Sequence, residues 1–209
     1  MGSAPPGSAT GDHYFAADPG SRSQTREVDL FLPDTSLRLV TDRGVFASGG
    51  VDAGTKLLLL DAPHPDPAET GHLLDLGCGY GPIALALARR APQATVWAVD
   101  VNRRARELCA ANATANGITN VRVAEPGDVP EDVRLAGIWS NPPIRVGKAA
   151  LHDLLAAWLP RLHIGARAWL VVQKHLGADS LARWLQEEGW PTARLSSRQA
   201  YRILECTAP

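Results

Sequence analysis

Alternating glycines lie between an apolar segment and an alanine- and leucine-rich segment, and they are the residues of this chain that most directly indicate chemistry. They are Gly77, Gly79 and Gly81, with Cys78 between the first two and Asp75 just before them. Glycine lets the backbone turn sharply and approach a ligand where side chains would block it. The helix predicted to follow offers unpaired N–H groups at its start. The pattern therefore indicates a loop for a nucleotide-type cofactor, and a turn without a ligand is the structural alternative.

The spacing of the glycines distinguishes between classes of cofactor. A dinucleotide loop reads G-x-G-x-x-G, whereas this loop reads G-x-G-x-G and is followed by Pro82, which suits the first turn of a helix. No Gly-Lys-Ser/Thr follows, so a phosphate P-loop is excluded. The run D-L-G-C-G-Y-G resembles motif I of class I S-adenosylmethionine (SAM) methyltransferases, where the loop wraps the methionine end of the cofactor. This resemblance makes the candidate cofactor-binding residues Asp75, Gly77, Cys78, Gly79 and Gly81.

Further acidic residues follow the next two predicted strands. Asp100, with Val101 after it, stands where α/β folds place a carboxylate that accepts hydrogen bonds from a ribose diol. Both SAM and NAD carry that diol, and the alternative role is a helix N-cap, for which Asn102 is the better candidate. Asp128 follows the third strand, where methyltransferases usually hold the adenine amino group, and Glu125 is its rival.

The segment Asn141-Pro142-Pro143-Ile144 follows the fourth predicted strand. Consecutive prolines fix φ and lack N–H donors, so the remaining polar groups are acceptors, namely the Asn141 side-chain oxygen and the Pro142 carbonyl. Such a pair beside a methyl donor can bind the N–H groups of an exocyclic amine and orient its lone pair, which is catalysis by positioning and polarisation. Asn-Pro-Pro can also be an ordinary turn. Its place at the same sheet edge as the glycine loop favours a catalytic role for residues 141–144, with Asn141 also near the cofactor.

Taken together, the runs D-L-G-C-G-Y-G, A-V-D-V-N and S-N-P-P-I-R-V-G-K closely resemble the small methyltransferase domain of ribosomal RNA guanine-N2 methyltransferases. Within that group, the chain is most similar to the single-domain bacterial and archaeal relatives. The resemblance extends from His13 to the last predicted strand. It implies a seven-stranded Rossmann-like fold, SAM as methyl donor and an RNA base amine as acceptor.

The chain departs from this family pattern in two ways. Enzymes with this motif usually have an aromatic residue where Ile144 stands, and its ring stacks on the flipped base. Tyr14, Phe15 and Phe46 are the candidates to stack instead, with core packing as the alternative. The two-domain members also carry a degenerate N-terminal domain that helps to bind RNA, and this chain is too short to include it.

Four potential cations follow the fourth and fifth strands. These are Arg145, Lys148, Lys174 and His175. Ligands of such sheets bind beyond the carboxyl ends of the strands, so these side chains are expected to converge on the reaction side and bind phosphates. The alternative is that they only solubilise loops. The predicted partner is ribosomal RNA or the small ribosomal subunit.

Strands and helices alternate along most of the chain, which predicts the scaffold that positions these groups. The pattern indicates an α/β fold, a Rossmann-like doubly wound seven-stranded sheet with a C-terminal antiparallel hairpin and an N-terminal β-hairpin extension. Residues 1–12 read as a flexible tail, and residues 13–62 as a hairpin-and-helix extension that forms one compact unit with a methyltransferase domain at 63–209. Predicted strands lie at 72–77, 95–100, 121–125, 136–140, 167–173, 193–198 and 201–207, and predicted helices at 82–90, 102–116, 147–159 and 179–188.

Composition excludes several other classes of protein. With 209 residues, 45% hydrophobic and 21% charged, the chain is typical of one globular domain, and a net charge of −1 neither requires nor excludes nucleic acid. Cys78, Cys109 and Cys206 include no C-x-x-C pair, which fits a reducing compartment and no metal site. No signal peptide or membrane-length apolar segment is evident. These features predict a cytoplasmic protein and leave its oligomeric state open.

The sequence therefore predicts a SAM-dependent N-methyltransferase that acts on a base amine, most specifically guanine in ribosomal RNA. Other Asn-Pro-Pro enzymes modify adenine amines or a glutamine side-chain amide, usually with an aromatic residue at the place of Ile144. A small-molecule N-methyltransferase is a further alternative. A SAM-binding module without catalysis is the weakest alternative, because both motifs are intact.

Overall fold

The computed structural model of the protein describes residues 22–209, so the predicted tail, Tyr14 and Phe15 lie outside the described residues. In chain order the elements are β1 (Thr25–Phe31), β2 (Ser36–Asp42), α1 (Ala53–Asp61), β3 (His72–Leu76), α2 (Pro82–Arg90), β4 (Thr95–Val99), α3 (Arg103–Ala115), β5 (Val121–Ala124), β6 (Leu135–Ser140), α4 (Lys148–Trp158), β7 (Leu162–Gln173), α5 (Ala178–Glu187), β8 (Thr192–Arg198) and β9 (Tyr201–Thr207). Single 3-10 turns lie at Pro126–Asp128, Ile144–Val146, Leu159–Arg161 and Lys174–Leu176.

The central sheet has seven strands in the order β5-β4-β3-β6-β7-β9-β8. Strands β3 to β7 pair in parallel, while β9 is antiparallel to both β7 and β8. The chain runs outward from β3 to β5 and then returns to β6 on the other side of β3, so the strand order reverses between β3 and β6. A sheet of this kind binds its ligand in the crevice beyond that reversal. The predicted fold class is confirmed.

Strand β3 shows why the sheet is covered on both faces. Leu73 packs with the helices α2 and α3, whereas Leu74 and Leu76 pack with α4 and α5. Successive side chains of a strand point to opposite faces, and here both faces carry leucine, which produces a nearly continuous apolar run. Because β3 is buried on both faces, its position in the domain is fixed, and so is the position of the glycine loop that follows it.

The N-terminal hairpin packs on the edge of this domain. Leu30, Leu37 and Leu39 are buried in the same apolar cluster as α2. The side chain of Asn112 on α3 pairs with both backbone groups of Val40, accepting from its N–H at 2.7 Å and donating to its carbonyl at 2.9 Å. Residues 25–42 therefore share a core with the sheet domain, and the division at residue 63 stays a prediction.

Strand β7 is longer than predicted. It begins at Leu162 and not at residue 167, because Leu162 pairs with Leu135 of β6 and the Gly165 N–H bonds to the Ala208 carbonyl at 3.1 Å. His163 and Gly165 interrupt the apolar pattern of this segment, but backbone pairing does not require apolar side chains. Within residues 22–209 no helix is long and apolar enough to span a membrane, and no group of three or more potential metal ligands occurs.

Candidate active site

A cavity of about 290 Å³ opens at the carboxyl ends of β3, β4, β6 and β7. The segment before α1 and the start of β9 close its sides. The described residues that line it are Val45, Phe46, Ala47, Asp52, Leu76, Gly77, Gly79, Val99, Asp100, Val101, Asn102, Ala105, Pro126, Asn141, Pro142, Pro143, Ile144, Leu154, Gln173, Leu176 and Tyr201. The structure thus brings the glycine loop, the Asp100 carboxylate and the Asn-Pro-Pro segment to one cavity.

The glycines of the loop differ in what surrounds them. A Cβ on Gly79, where φ is +54°, would meet no atom within 4 Å, and one on Gly77 would meet only Pro143 Cδ at 3.9 Å. Both residues line the cavity, so the missing side chains leave space for a ligand. A Cβ on Gly81 would instead lie 2.7 Å from Cys109 Sγ. Gly81 is therefore required by packing, and it does not line the cavity.

Asp75 lies under the loop and does not line the cavity. Its side chain is fully buried, and its Oδ2 accepts the N–H of Ala84 at 2.8 Å. The N-cap of α2 is Gly81, which has no side chain to bind the first N–H groups of the helix. Asp75 supplies that acceptor from β3, so the structure gives it the role of supporting the loop. Its Oδ1 is buried with no hydrogen-bond partner among the described residues.

Burial penalises the ionised form of Asp75 and raises the pKa of its carboxyl to about 8, against the opposing hydrogen bond from Ala84. Between pH about 4 and about 8 the group is thus protonated when folded and ionised when unfolded. The free energy of unfolding should fall through this range as pH rises, by at most about 1.4 kcal/mol per pH unit. Asp75→Asn should flatten that slope in urea unfolding at pH 5, 6, 7 and 8, whereas exposed Asp128→Asn should retain it. Equal slopes in all three proteins would contradict this role.

Asp100 lines the cavity and is held by backbone donors. Its Oδ2 accepts the Gly79 N–H and its Oδ1 accepts the Asn102 N–H, both at 2.9 Å. Burial raises the pKa of the Asp100 carboxyl, and these hydrogen bonds oppose the increase. Asn102, rather than Asp100, caps α3 by accepting from the Ala105 N–H at 3.1 Å. The Asp100 carboxylate is left beside the glycine loop, at the place predicted for ribose binding.

The remaining candidates for cofactor binding are not equally close to the cavity. Val101 lines it and is 45% exposed. Cys78 is buried and does not line the cavity. A hydrogen bond with the Cys109 thiol, together with burial, raises the pKa of Cys78. Asp128 is exposed and also does not line the cavity, while Glu125 pairs with Arg106 at 3.2 Å. Pro126 is the residue of that loop that reaches the cavity.

The amide of Asn141 is fixed by two acceptors. Its Nδ2 donates to Asp52 Oδ2 at 2.9 Å and to Thr55 Oγ1 at 3.1 Å. An ionised carboxylate can only accept, so the nitrogen must face Asp52 and the oxygen must face away from it. The two donors of Asn141 are therefore used within the protein, and its Oδ1 remains as an acceptor at the cavity.

The prolines shape the turn after Asn141. Pro143 has φ −73° and ψ 72°, which is an inverse γ-turn, and the Ile144 N–H donates to the Pro142 carbonyl at 2.8 Å. A carbonyl oxygen has two lone pairs, so that of Pro142 can accept a second hydrogen bond. Ile144 lines the cavity as an apolar wall.

Sequence reasoning missed part of the polar network around Asn141. Asp52 caps α1, since it accepts from Thr55 N at 3.1 Å, and it also belongs to this network. Tyr201 lines the cavity beside it, and its hydroxyl accepts from Gln173 Nε2 at 3.0 Å and donates to Asp52 Oδ1 at 3.4 Å. In the sequence, Gly54 within α1 indicates at most a close neighbour, and only the structure identifies it as the Tyr201 ring, 2.7 Å from a Cβ built there.

The predicted substrate-binding residues lie mainly at the rim. Phe46 lines the cavity and is 42% exposed. Lys148 is exposed at the start of α4, and Lys174 and exposed His175 share a turn with Leu176, which lines the cavity. Arg145 follows Ile144 in its turn. Among the described residues, those lining the cavity include two carboxylates, Asp52 and Asp100, and no basic side chain.

Comparison with known proteins identifies the family of this chain. The methyltransferase small domain profile matches residues 36–205. The uncharacterized protein YbxB of Bacillus subtilis is 34% identical over 197 residues, 93% of this chain and 97% of that protein. The ribosomal RNA small subunit methyltransferase C of Ectopseudomonas mendocina is 33% identical over 191 residues, 90% of this chain and 56% of that protein.

A solved structure shows the same likeness in three dimensions. The T. thermophilus 16S rRNA N2 methyltransferase RsmC, in complex with AdoMet and guanosine, superposes with a TM-score of 0.75 at 25% identity, covering 91% of this chain and 52% of that one. The chain spans about half the length of both of these ribosomal RNA methyltransferases. From the family match over residues 36–205 and the near full-length relative, the chain belongs to the methyltransferase small domain family.

Proposed function

We propose that this protein is a SAM-dependent N-methyltransferase that acts on the N2 amine of guanine in ribosomal RNA. The observation that carries the proposal is the Asn141 amide, whose donors are both used by Asp52 and Thr55. An acceptor remains at the cavity that the glycine loop also lines.

The cavity suits SAM better than a dinucleotide. SAM carries a sulfonium and an ammonium against one carboxylate, so its net charge is positive, whereas NAD carries a pyrophosphate. Among the side chains that the structure describes, those lining the cavity include two carboxylates and no basic group, which favours the cation and disfavours the pyrophosphate. Gly77 and Gly79 leave open space for the methionine end, and Asp100 stands ready to accept from a ribose diol.

When bound, SAM supplies an electrophilic methyl group. The protein's own contribution is to hold the amine that receives it. Asn141 Oδ1 and the Pro142 carbonyl accept its two N–H groups, which fixes the direction of the nitrogen lone pair and raises its electron density. An amide oxygen is too weak a base to remove a proton at neutral pH, so Asn141 positions and polarises the amine.

Guanine in ribosomal RNA is supported by the relatives and by the rim. Methyltransferase C and RsmC are named for ribosomal RNA, and the RsmC structure holds guanosine. Rim cations at Lys148 and Lys174 suit phosphates, whereas the cavity itself has carboxylates. Phe46 and Tyr201 are the described aromatic residues at the cavity that can contact the base.

Methyl transfer to ribosomal RNA stripped of protein, with mass mapping of the product nucleoside, tests the proposal. A product other than N2-methylguanosine would contradict it.

RNA binding should depend on salt through the rim. If Lys148 and Lys174 contact phosphates, the Lys148→Ala, Lys174→Ala double variant should flatten the plot of log K against log salt concentration by roughly 1.5 units of slope. Affinity for S-adenosylhomocysteine should not change, because neither lysine lines the cavity.

The matched control removes the same charge away from the rim, by Arg122→Ala on β5 with Arg183→Ala on α5. This control should keep the wild-type slope. Filter binding of a ribosomal RNA fragment between 50 and 300 mM salt measures all three proteins. If both double variants changed the slope equally, only the total charge would matter. Activity on a free metabolite, with no RNA binding at low salt, would favour the small-molecule alternative.

A further inference from the structure

The capping of α1 does not explain why residue 52 has a second carboxylate oxygen, Oδ1. Its Oδ2 accepts from Asn141 Nδ2 at 2.9 Å and caps α1 through Thr55 N at 3.1 Å. Among the described residues, its Oδ1 accepts only from the Tyr201 hydroxyl, at 3.4 Å, and it keeps a lone pair for another donor. Capping alone needs one oxygen, and serine or asparagine would provide it equally well.

The neighbours of Asp52 hold its carboxylate in a fixed place at the cavity. The Tyr201 ring packs on Gly54, where even a Cβ would come within 2.7 Å, and the tyrosine hydroxyl is held by Gln173 at 3.0 Å. Asn141 binds the carboxylate from the other side. Asp52 therefore presents a carboxylate oxygen to the cavity that Asn141 also lines.

The Watson–Crick edges of the purines differ in what they require beside the amine. Guanine has an N1–H donor next to its N2 amine, so these two neighbouring groups both donate, whereas its O6 accepts. Adenine has an N1 acceptor next to its N6 amine, and a carboxylate there would meet a lone pair. Hydrogen bonds to a charged acceptor are the stronger ones, and an unpaired or opposed polar group in a closed site is costly.

We propose that Asp52 is the specificity-determining residue of the site, and that it accepts the N1–H of guanine while Asn141 accepts from the N2 amine. This inference rests on the proposed function and names the group that selects guanine over adenine. The same hydrogen bond increases the electron density of the base, including that of the N2 amine, because the N1–H donates to a negatively charged acceptor.

The test uses three nucleosides bound to protein that is saturated with S-adenosylhomocysteine. Guanosine and inosine have the N1–H, whereas 2-aminopurine riboside has the amine without it. In Asp52→Asn the amide oxygen can keep the cap and the Asn141 bond, and the amide nitrogen then replaces Oδ1. Affinity for guanosine and inosine should fall roughly ten- to hundred-fold, while 2-aminopurine riboside binds at least as well as before.

Asp52→Ser retains a capping oxygen and is the second variant, expected to lose the same discrimination with little change in melting temperature. Asp100→Asn is the matched control, since it neutralises the other cavity carboxylate. It should weaken S-adenosylhomocysteine binding and keep the wild-type ratio of guanosine to 2-aminopurine riboside.

The outcomes separate this inference from the proposed function. If wild type binds guanosine and both Asp52 variants keep the wild-type ratios, the inference is wrong and the proposed function stands. If the variants lose S-adenosylhomocysteine with unchanged nucleoside ratios, Asp52 belongs to the cofactor side, which also overturns it. If wild type binds none of the three nucleosides and methylates no guanine, both proposals fail.

Discussion

Replacing Asn141 by alanine should lower the turnover number of this protein by about a hundred- to a thousand-fold, roughly 3 to 4 kcal/mol of transition-state stabilisation. The reason is the loss of the acceptor oxygen that Asp52 and Thr55 direct to the cavity. Affinity for S-adenosylhomocysteine should change little, because the glycine loop and Asp100 are the proposed main cofactor anchors. Single-turnover methyl transfer to ribosomal RNA, with calorimetry for the cofactor product, measures both quantities.

Asn120→Ala is the matched control for folding. The Asn120 side chain donates to the carbonyls of Ala88, Ala91 and Ala94 and does not line the cavity. This variant should lose stability and keep its turnover below the melting temperature. A folded Asn141→Ala protein with near-normal turnover would show that Asn-Pro-Pro is only a turn here.

Gly79→Arg should abolish cofactor binding, with a loss of affinity of at least about a hundred-fold. The new side chain would project into open space in the cavity of about 290 Å³ and would occupy the place proposed for the methionine end of SAM. Its backbone strain comes from φ +54°, a region that non-glycine residues adopt at a modest cost. Calorimetry with S-adenosylhomocysteine measures the loss.

Gly117→Arg separates the ligand effect from that strain. Gly117 has φ +64° and open space around it, but it lies after α3 and does not line the cavity. Both arginine variants should be destabilised to a similar extent, and only Gly79→Arg should lose the cofactor. Equal losses of affinity would mean that strain, and not occupation of the cavity, explains the result. Tight binding of NAD with no binding of SAM would overturn the cofactor assignment.

The elements of the fold were readable from the sequence because their signals are local. Glycines at 77, 79 and 81 and Pro82 end β3 and begin α2 within six positions, and α2 spans Pro82–Arg90 as predicted. The capping roles of Asp52 and Asn102 are also local, since each bonds an N–H three residues away. The error in β7 came from a segment in which only Leu162 is buried and backbone pairing extends the strand.

The surroundings of the three glycines could not be predicted from the local sequence. All three have a positive φ, which fits the sharp turn that these glycines predicted. Only the packed structure shows that Gly81 faces Cys109 whereas Gly79 faces open space. In the same way Asp75 was expected at the cofactor, and the structure places it under the loop, bonded to Ala84.

The sequence by itself predicted the family through its motifs, the alternation of strands and helices and the two segments that meet at the cavity, because motif spacing and apolar periodicity act over short stretches of chain. The tertiary structure decided the direction of the Asn141 amide. Its partner Asp52 is 89 positions away and Tyr201 is 149 positions from Asp52. No sequence pattern links residues so far apart, and only the packing of α1 and β9 around the end of β6 brings their side chains within hydrogen-bonding distance.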